Sequence, residues 1–231
     1  MFEISLVIPC YNEEKNIPLV FEKIKNFEKI KNIEIVLVNN GSVDNTKNKI
    51  IELMQNKDFI QLVNIDKNEG YGNGILKGLN SARGSILGWT HADLQTDPLD
   101  ILKGLDYFKE SSKIFVKGKR FGRPLFDILF TIGMSIFESL LLRKFLWDIN
   151  AQPTIFHKSF FDTWEKPPKD FSLDLYAYYL AKKRGFKIYR FKVFFGRRVF
   201  GESKWNTSFN AKIKFIKRTL VYSFKLNKYI K

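Results

Sequence analysis

The sequence predicts an α/β protein built on a mostly parallel central sheet with helices on both faces, and three observations carry that prediction. Short, nearly continuous apolar runs alternate with segments of helical spacing through residues 1–98, and strands that read as unbroken apolar runs are those buried on both faces of a parallel sheet. The runs end in polar clusters, Pro9-Cys10-Tyr11-Asn12-Glu13, Asn39-Asn40-Gly41-Ser42-Val43-Asp44 and His91-Ala92-Asp93; ligands of such sheets gather at the carboxyl ends of the strands. The chain has 231 residues, 45% of them hydrophobic and 16% aromatic, enough for one generous domain with a real core.

Ile4–Ile8 is the first apolar strand, followed by helical spacing over Glu14–Phe27 and a second strand over Glu34–Val38. Asp44 offers a cap to a helix that runs toward Gln55. Phe59–Asn64 reads as a strand, Gly74–Ala82 as a helix, Ser85–Trp89 as a strand, and Asp97-Pro98 opens another helix. Dinucleotide binders of this architecture need a glycine-rich turn after the first strand. Here that turn is Pro-Cys-Tyr-Asn-Glu-Glu, and the Gly-rich piece Gly70-Tyr71-Gly72-Asn73-Gly74 follows the third strand instead, which disfavours a dehydrogenase.

The formal net charge is +15 and unevenly spread: residues 1–100 carry 11 Lys/Arg against 14 Asp/Glu, residues 101–231 carry 28 against 10. The second half therefore seeks anions, whether nucleic acid, the anionic face of a membrane or phosphorylated substrates. No zinc-ligand spacing, helix-turn-helix pattern or aromatic sheet motif accompanies the charge, so nucleic acid is not the expected partner. The single cysteine, Cys10, excludes an internal disulfide and suits a reducing cytosol. The start, Met1-Phe2-Glu3-Ile4, does not read as a signal peptide.

Two segments bear on a membrane. Residues 124–142, PLFDILFTIGMSIFESLLL, are interrupted by Asp127 and Glu138, so a transmembrane span is not expected. Asp127, Thr131, Ser135 and Glu138 recur at helical spacing as a narrow polar stripe on an apolar cylinder. Such a helix is either a core helix or one lying in the membrane interface, flanked here by Arg120, Arg123, Arg143 and Lys144. Residues 197–231 hold ten Lys/Arg and one acid, Glu202. Within them Phe209, Ile213, Ile216, Leu220 and Phe224 line one helical face, and Lys212, Lys214, Lys217, Arg218 and Lys225 populate the rest. This basic amphipathic helix, residues 206–231, favours the interfacial reading, since each basic side chain near an anionic surface contributes about 1 kcal/mol.

Four stretches, SLVIPCYNEEKNI (5–17), VLVNNGSVDNT (36–46), NEGYGNGILKGLNSARGSILGWTHADLQTDP (68–98) and GRRVFGESKW (196–205), together resemble the family 2 glycosyltransferases of GT-A fold. Within that family the likeness is to the dolichyl- and polyprenyl-phosphate mannose or glucose synthases. The resemblance implies a GT-A nucleotide-sugar-binding fold over residues 1–205 with amphipathic interfacial helices added to it. It implies an inverting hexosyltransferase with a GDP- or UDP-hexose donor, a polyprenyl phosphate or other lipid-linked acceptor, and a divalent cation, Mn2+ or Mg2+. Peripheral attachment to the cytoplasmic face of an anionic membrane goes with that reading.

The resemblance also assigns residues. Pro9, Tyr11, Glu13, Asn39 and Asn40 would hold base and ribose, with Gly70, Gly72, Lys77, Ala92 and Asp93 completing the nucleotide-sugar site. Many relatives have Asp-Asp where this chain has Asn39-Asn40; an amide both donates and accepts, so it says less about which base is bound, and a capped turn is the plainer reading of the pair. Lys77 and Arg83 are either near phosphate or on a solvated helix face. Arg120, Arg123, Gln152, Arg198, Ser203 and Lys204 would serve the acceptor and the phosphates, because fixed cations lower the repulsion between an entering and a leaving anion. The candidate catalytic residues are Asp93, Arg120, Asp174, Arg198 and Lys204. Asp174 lies in the first turn of a helix for which Ser172 is the expected cap; it would deprotonate an acceptor hydroxyl, or only position groups if the acceptor is an already ionised phosphate. His157 reads as an ordinary surface or packing histidine.

The close relatives carry Asp-Ala-Asp with a glutamine two residues on, where this chain has His91-Ala92-Asp93-Leu94-Gln95. Asp93 and Gln95 are the candidate oxygen ligands of the metal. His91 is either a third ligand, tilting the site toward Mn2+, or a hydrogen-bonding group for sugar or backbone. Two further functions stand beside this one: a transferase acting on a sugar hydroxyl in surface polysaccharide or lipopolysaccharide synthesis, and a catalytically inactive membrane- or nucleic-acid-associated binding protein.

Overall fold

Period-two alternation sorts the central strands onto two cores. In the computed structural model, which describes residues 2–30, 32–201 and 209–229, β1 (Ile4–Cys10) and β2 (Ile33–Asn40) are buried along almost their whole length. Ile4, Leu6 and Ile8 with Ile33, Ile35 and Leu37 join one core with α1 (Ile17–Ile24) and Ile50 of α2 (Thr46–Leu53). Val7, Val36 and Val38 join the other with Ile75 and Leu79 of α3 (Tyr71–Ser81). A strand buried on both faces has no polar side to alternate with, which is why these segments read as continuous apolar runs.

β3 (Ile60–Ile65) pairs in parallel with β2, and β4 (Ile86–Trp89) with β1. The remaining strands are β5 (Ile114–Phe121), β6 (Thr154–His157) and β7 (Lys187–Phe194). They extend one seven-stranded sheet in the order β3-β2-β1-β4-β6-β5-β7, with β6 antiparallel to β4 and β5, and β7 parallel to β5. The remaining helices are α4 (Leu125–Leu142), α5 (Lys158–Phe161), α6 (Leu173–Lys183) and α7 (Phe209–Tyr229). The α/β class and the helix-covered, mostly parallel sheet are as the sequence predicts.

Boundaries differ for local reasons. Helix α3 begins at Tyr71, inside the glycine-rich piece, because the Gly74 amide already donates to Gly70 O. Asp44 accepts from the Thr46 amide and hydroxyl, but the cap position of α2 is Asn45. Ser172 makes no side-chain cap; Asp170 accepts from its amide at 2.9 Å instead. The helix opened by Asp97-Pro98 is 3-10 over Pro98–Lys109, with Asp97 accepting from the Leu99 amide.

At the amino end of the sheet the fully buried Glu34 accepts from Ser5 Oγ, from the Arg83 amide at 2.8 Å and from Arg83 Nε at 2.6 Å. Arg83 is thus committed to this staple at the edge opposite the polar strand ends, away from any phosphate there. On α3, a Cβ at Gly78 would collide with Val7 Cγ1 and lie 2.8 Å from Val38 Cγ2. Gly78→Ala is therefore expected to destabilise the protein by about 1–3 kcal/mol, although alanine is the better helix former. A urea midpoint that stays level or rises would show that α3 can move off the sheet.

Candidate active site at the carboxyl ends of the central strands

β1, β2 and β4 deliver their polar ends to one edge of the sheet: Cys10 is in register with Asn39, and the Thr90 amide donates to Val7 O. The segment after β7 folds back across this edge. Gly196 and Gln95 exchange hydrogen bonds, the Gly196 amide to Gln95 O at 2.8 Å and Gln95 Nε2 to Gly196 O at 3.1 Å. Arg198 then places Nη2 2.9 Å from Asp93 Oδ2 and Nε 3.2 Å from Gln95 Oε1. Asp93 is 5% exposed. Two of the predicted oxygen ligands thus already converge on a cation, supplied here by the protein itself.

Glu13 belongs to the same corner. Its carboxyl accepts from Asn16 Nδ2, and burial, with the charges of Asp93 and Asp44 nearby, raises its pKa despite Arg198. Pro9 and Tyr11 are half-buried beside it, and Ala92 is buried. The asparagine pair is turned inward. Asn39 donates to Asn64 Oδ1 at 2.7 Å and accepts from the Ser42 amide, and Asn40 donates to Gly70 O at 3.0 Å while its Oδ1 is buried without a partner. A Cβ on Gly70 would meet Lys169 O and one on Gly72 would meet Asp170 O, so these glycines admit the 168–170 loop. Lys77 lies on the exposed face of α3, leaving the solvated reading of that residue.

His91 is held by stacking. Its ring lies 5.4 Å from that of Tyr71, which stacks at 4.8 Å on Phe171, and the Arg218 guanidinium of α7 lies over the Phe171 ring at 5.6 Å. Burial holds the His91 pKa below the usual histidine value against the pull of Asp93 and Asp174. Among the described residues no three His, Cys, Asp or Glu side chains converge as a metal cluster.

Beneath Tyr71 is a polar network that sequence reading caught only in part. Gln152 Nε2 donates to Asp174 Oδ1 at 2.6 Å, and Lys117 Nζ donates to Thr154 Oγ1 at 2.6 Å and approaches Asp174 Oδ1 at 3.5 Å. Gln152 and Asp174 are 1% and 2% exposed, so neither faces an open acceptor site. Burial pushes Lys117 down to about 8, with Asp174 opposing. The signal for Lys117 was a lysine inside the apolar run Ile114-Phe115-Val116-Lys117. His157 accepts from the Ser159 amide and caps α5.

Asp148, also missed, organises the acceptor-side arginines. It accepts from the Arg120 amide at 2.9 Å and from Arg120 Nε at 2.8 Å, with Arg123 at 3.9 Å and Arg190 at 3.8 Å. These cations hold its pKa below the usual carboxylate value although burial opposes them. Three guanidinium groups around one carboxylate leave surplus positive charge. Arg123 also donates to Thr131 Oγ1 on α4. Ser203 and Lys204 lie outside the described residues.

Helix α4 is inside out. Ser135 and Glu138 of the polar stripe are buried, while Leu125, Phe126, Leu129, Ile136 and Leu140 are exposed, Phe126 by 77%. By length and composition alone it is the one helix among the described residues fit to cross a membrane; its 18 residues span about 27 Å, a little under a typical hydrocarbon core. Among the described residues the apolar circumference is largely uncovered, which disfavours the core-helix reading.

An open, mostly parallel sheet with acids, amides and an arginine gathered at its central strand ends is the arrangement of a GT-A glycosyltransferase. The chain belongs to glycosyl transferase family 2, which residues 5–163 match. It is 29% identical over 211 residues to the dolichol-phosphate mannosyltransferase of Pyrococcus furiosus, covering 87% of this chain and 59% of that protein. It is 32% identical over 123 residues to a prophage bactoprenol glucosyl transferase homolog of Escherichia coli, covering 52% of this chain and 40% of that one. The chain thus spans 40–59% of the length of these relatives. Among solved structures, glucosyl-3-phosphoglycerate synthase of Mycobacterium tuberculosis with Mn2+ and UDP superposes at TM-score 0.73 and 15% identity, covering 98% of this chain and 80% of that one. A mannosyltransferase of Pyrobaculum calidifontis with GDP-Man and Mn2+ does so at 0.67 and 17%, covering 96% and 63%. At such identities these structures show the shared fold.

The buried pair gives a stability prediction. Lys117→Met alone leaves the Asp174 carboxylate without its cation and is expected to cost about 3–5 kcal/mol, whereas Lys117→Met with Asp174→Leu should recover most of that loss. Denaturant melts of the double-mutant cycle measure it; additive losses would show that the pair is not coupled. Because the folded-state pKa of Lys117 is depressed, the wild type should also gain stability as pH rises from about 8 toward the usual lysine value, and the double variant should not.

Proposed function

We propose that this chain transfers a hexose from a nucleotide sugar to the phosphate of a polyprenyl phosphate at the cytoplasmic surface of a membrane, as a peripheral protein. One observation carries the reading: the exposed apolar face of α4 lies beside the Arg120–Arg123–Asp148 cluster, which suits a lipid whose head is a phosphate. The names of the two curated relatives point to the same acceptor class, and the two solved structures to UDP- or GDP-linked donors.

In this reading an acceptor phosphate oxygen attacks the anomeric carbon, the bond from that carbon to the donor diphosphate breaks, and the nucleoside diphosphate leaves from the opposite side with inversion. An ionised phosphate needs no base, which suits an Asp174 buried beneath Gln152 and bound to Lys117. The same burial disfavours attack by a sugar hydroxyl, which would need Asp174 in contact with the acceptor. Pro9, Tyr11 and Glu13 hold the nucleoside end of the donor. Asn39 and Asn40 shape the turn around it. Arg120 and Arg123 draw the acceptor phosphate, while Arg198, with Lys204 and Ser203 of the same segment, meets the donor diphosphate.

The donor set fits a divalent cation. Asp93 Oδ2 and Gln95 Oε1 already face one positive group, and Mg2+ and Mn2+ both accept carboxylate and amide oxygen. The ion would neutralise charge building on the leaving diphosphate, and Arg198, displaced from Asp93, would be free to bind phosphate. His91, stacked on Tyr71, borders the site as a sugar-side group.

A panel of UDP- and GDP-hexoses incubated with polyprenyl phosphate and Mn2+, scored for glycolipid, tests the reading. Asp93→Ala should abolish transfer and Arg198→Ala should lower it by about a hundredfold or more. Full activity in chelator would remove the metal from the scheme, and glycosylation of a sugar hydroxyl alone would replace the acceptor. For the membrane, Phe126→Glu with Leu129→Glu should largely abolish sedimentation with anionic vesicles while the fold persists by circular dichroism; equal binding by variant and wild type would show that α4 is not the contact.

A further inference from the structure

Arg198 meets Asp93 and Gln95 through two oxygens that other groups have already singled out. The Gln95 amide donates to Asp93 Oδ1 at 3.1 Å, which leaves Oδ2 for Arg198 Nη2. Gln95 Nε2 donates to Gly196 O at 3.1 Å, which fixes the orientation of the side-chain amide and leaves Oε1 for Arg198 Nε. Neither orienting bond involves the guanidinium. The two oxygens would therefore stay aimed at one point if Arg198 were exchanged for another cation.

The backbone around Arg198 is tied down on both sides. Before it, the Phe195 amide donates to Phe121 O and the Gly196 amide to Gln95 O. After it, Phe200 O accepts from Asn16 Nδ2 at 3.4 Å. With the chain held at both ends, the long side chain is the part able to leave, and 29% of it is already exposed against 7% of Asp93's. A divalent cation takes carboxylate and amide oxygens of the kind that Asp93 and Gln95 offer, and a guanidinium forks onto the same atoms. Both cannot be served at once, because they claim the same lone pairs and oppose each other as like charges at close range.

We propose that Arg198 is an internal competitor of the divalent cation, so that guanidinium and metal exclude each other on Asp93 Oδ2 and Gln95 Oε1. The site is thereby self-regulating: Arg198 becomes available to a donor diphosphate only in a molecule whose two oxygens hold a metal. The identity of that metal as the one used in transfer rests on the reading above; the exclusion itself does not. Removing the guanidinium should then have opposite effects on the two halves of the site, tightening metal binding while weakening transfer.

Mn2+ titrated into the full chain without nucleotide, with the free ion read by electron paramagnetic resonance, tests this. Arg198→Ala should bind Mn2+ at least about tenfold tighter than the wild type, since an apparent affinity falls with the fraction of molecules whose oxygens are free. Arg198→Gln, which keeps most of the length without the charge, should follow it and decides if the alanine variant does not fold. Arg197→Ala removes an exposed charge from the same segment and should stay within about twofold of the wild type, because an exposed charge is screened. Adding Asp93→Ala to Arg198→Ala should abolish the gain. Unchanged or weaker binding in the Arg198 variants, an equal gain in Arg197→Ala, a gain that survives Asp93→Ala, or no binding by any of the proteins each overturns the proposal. Tighter binding without glycolipid from any donor would leave it standing and fell the transfer reading. Mn2+-dependent glycolipid formation with Mn2+ affinity unmoved by Arg198→Ala would do the reverse.

Discussion

β4 is four residues long and pairs in opposite senses with its two neighbours, parallel to β1 and antiparallel to β6. Much of the site depends on that reversal. Because β6 runs the other way, its first residue, Thr154, lies in register with the last residue of β4, Trp89, and with Lys117 of β5. The chain entering β6 therefore delivers Gln152 to the same edge where β4 releases His91, and Thr154 to the lysine that faces Asp174. An all-parallel sheet would have put that entry at the opposite edge. The residues that meet around Tyr71 come from segments up to 103 positions apart (Tyr71 to Asp174) and are neighbours through strand direction alone.

Helix α4 converts the ordinary rule of burial into its opposite, and the interior explains why. The space behind it is polar: Ser135 accepts from the Asp148 amide, Arg123 donates to Thr131, and Glu138 receives Ser223. A polar stripe is needed on that side to satisfy these groups, which leaves the apolar remainder facing outward. The arginine cluster around Asp148 and the exposed apolar face are two consequences of one packing solution, and so they adjoin.

The amino-terminal half was legible because its strands are buried on both faces and its loops carry strong turn residues. β5, β6 and β7 were not foreseen: β7 alternates Lys187-Ile188-Tyr189-Arg190-Phe191-Lys192 at the sheet edge, and β6 has only four residues, too few for a period to show. Among site residues, Asp93, Gln95 and Arg198 were readable and do meet. For Gly70 and Gly72 the close approach that the structure shows is that of the 168–170 loop, since a glycine's tolerance of close approach says nothing about what approaches. Lys117 and Asp148 depend on partners far along the chain. Only the folded geometry supplies those.

The Glu34 staple has a consequence in time as well as in space. Its hydrogen bonds reach Ser5, 29 residues before it, and Arg83, 49 residues after it. Closing loops of that length is an entropic cost met before either bond forms, and parallel sheets postpone their reward in the same way. Once the three segments have collapsed together, a single carboxylate locks the register of β1, β2 and the approach to β4 at once. The staple thus ties β1, β2 and the approach to β4 together at the edge opposite the polar strand ends, and the loops at those polar ends take no part in it.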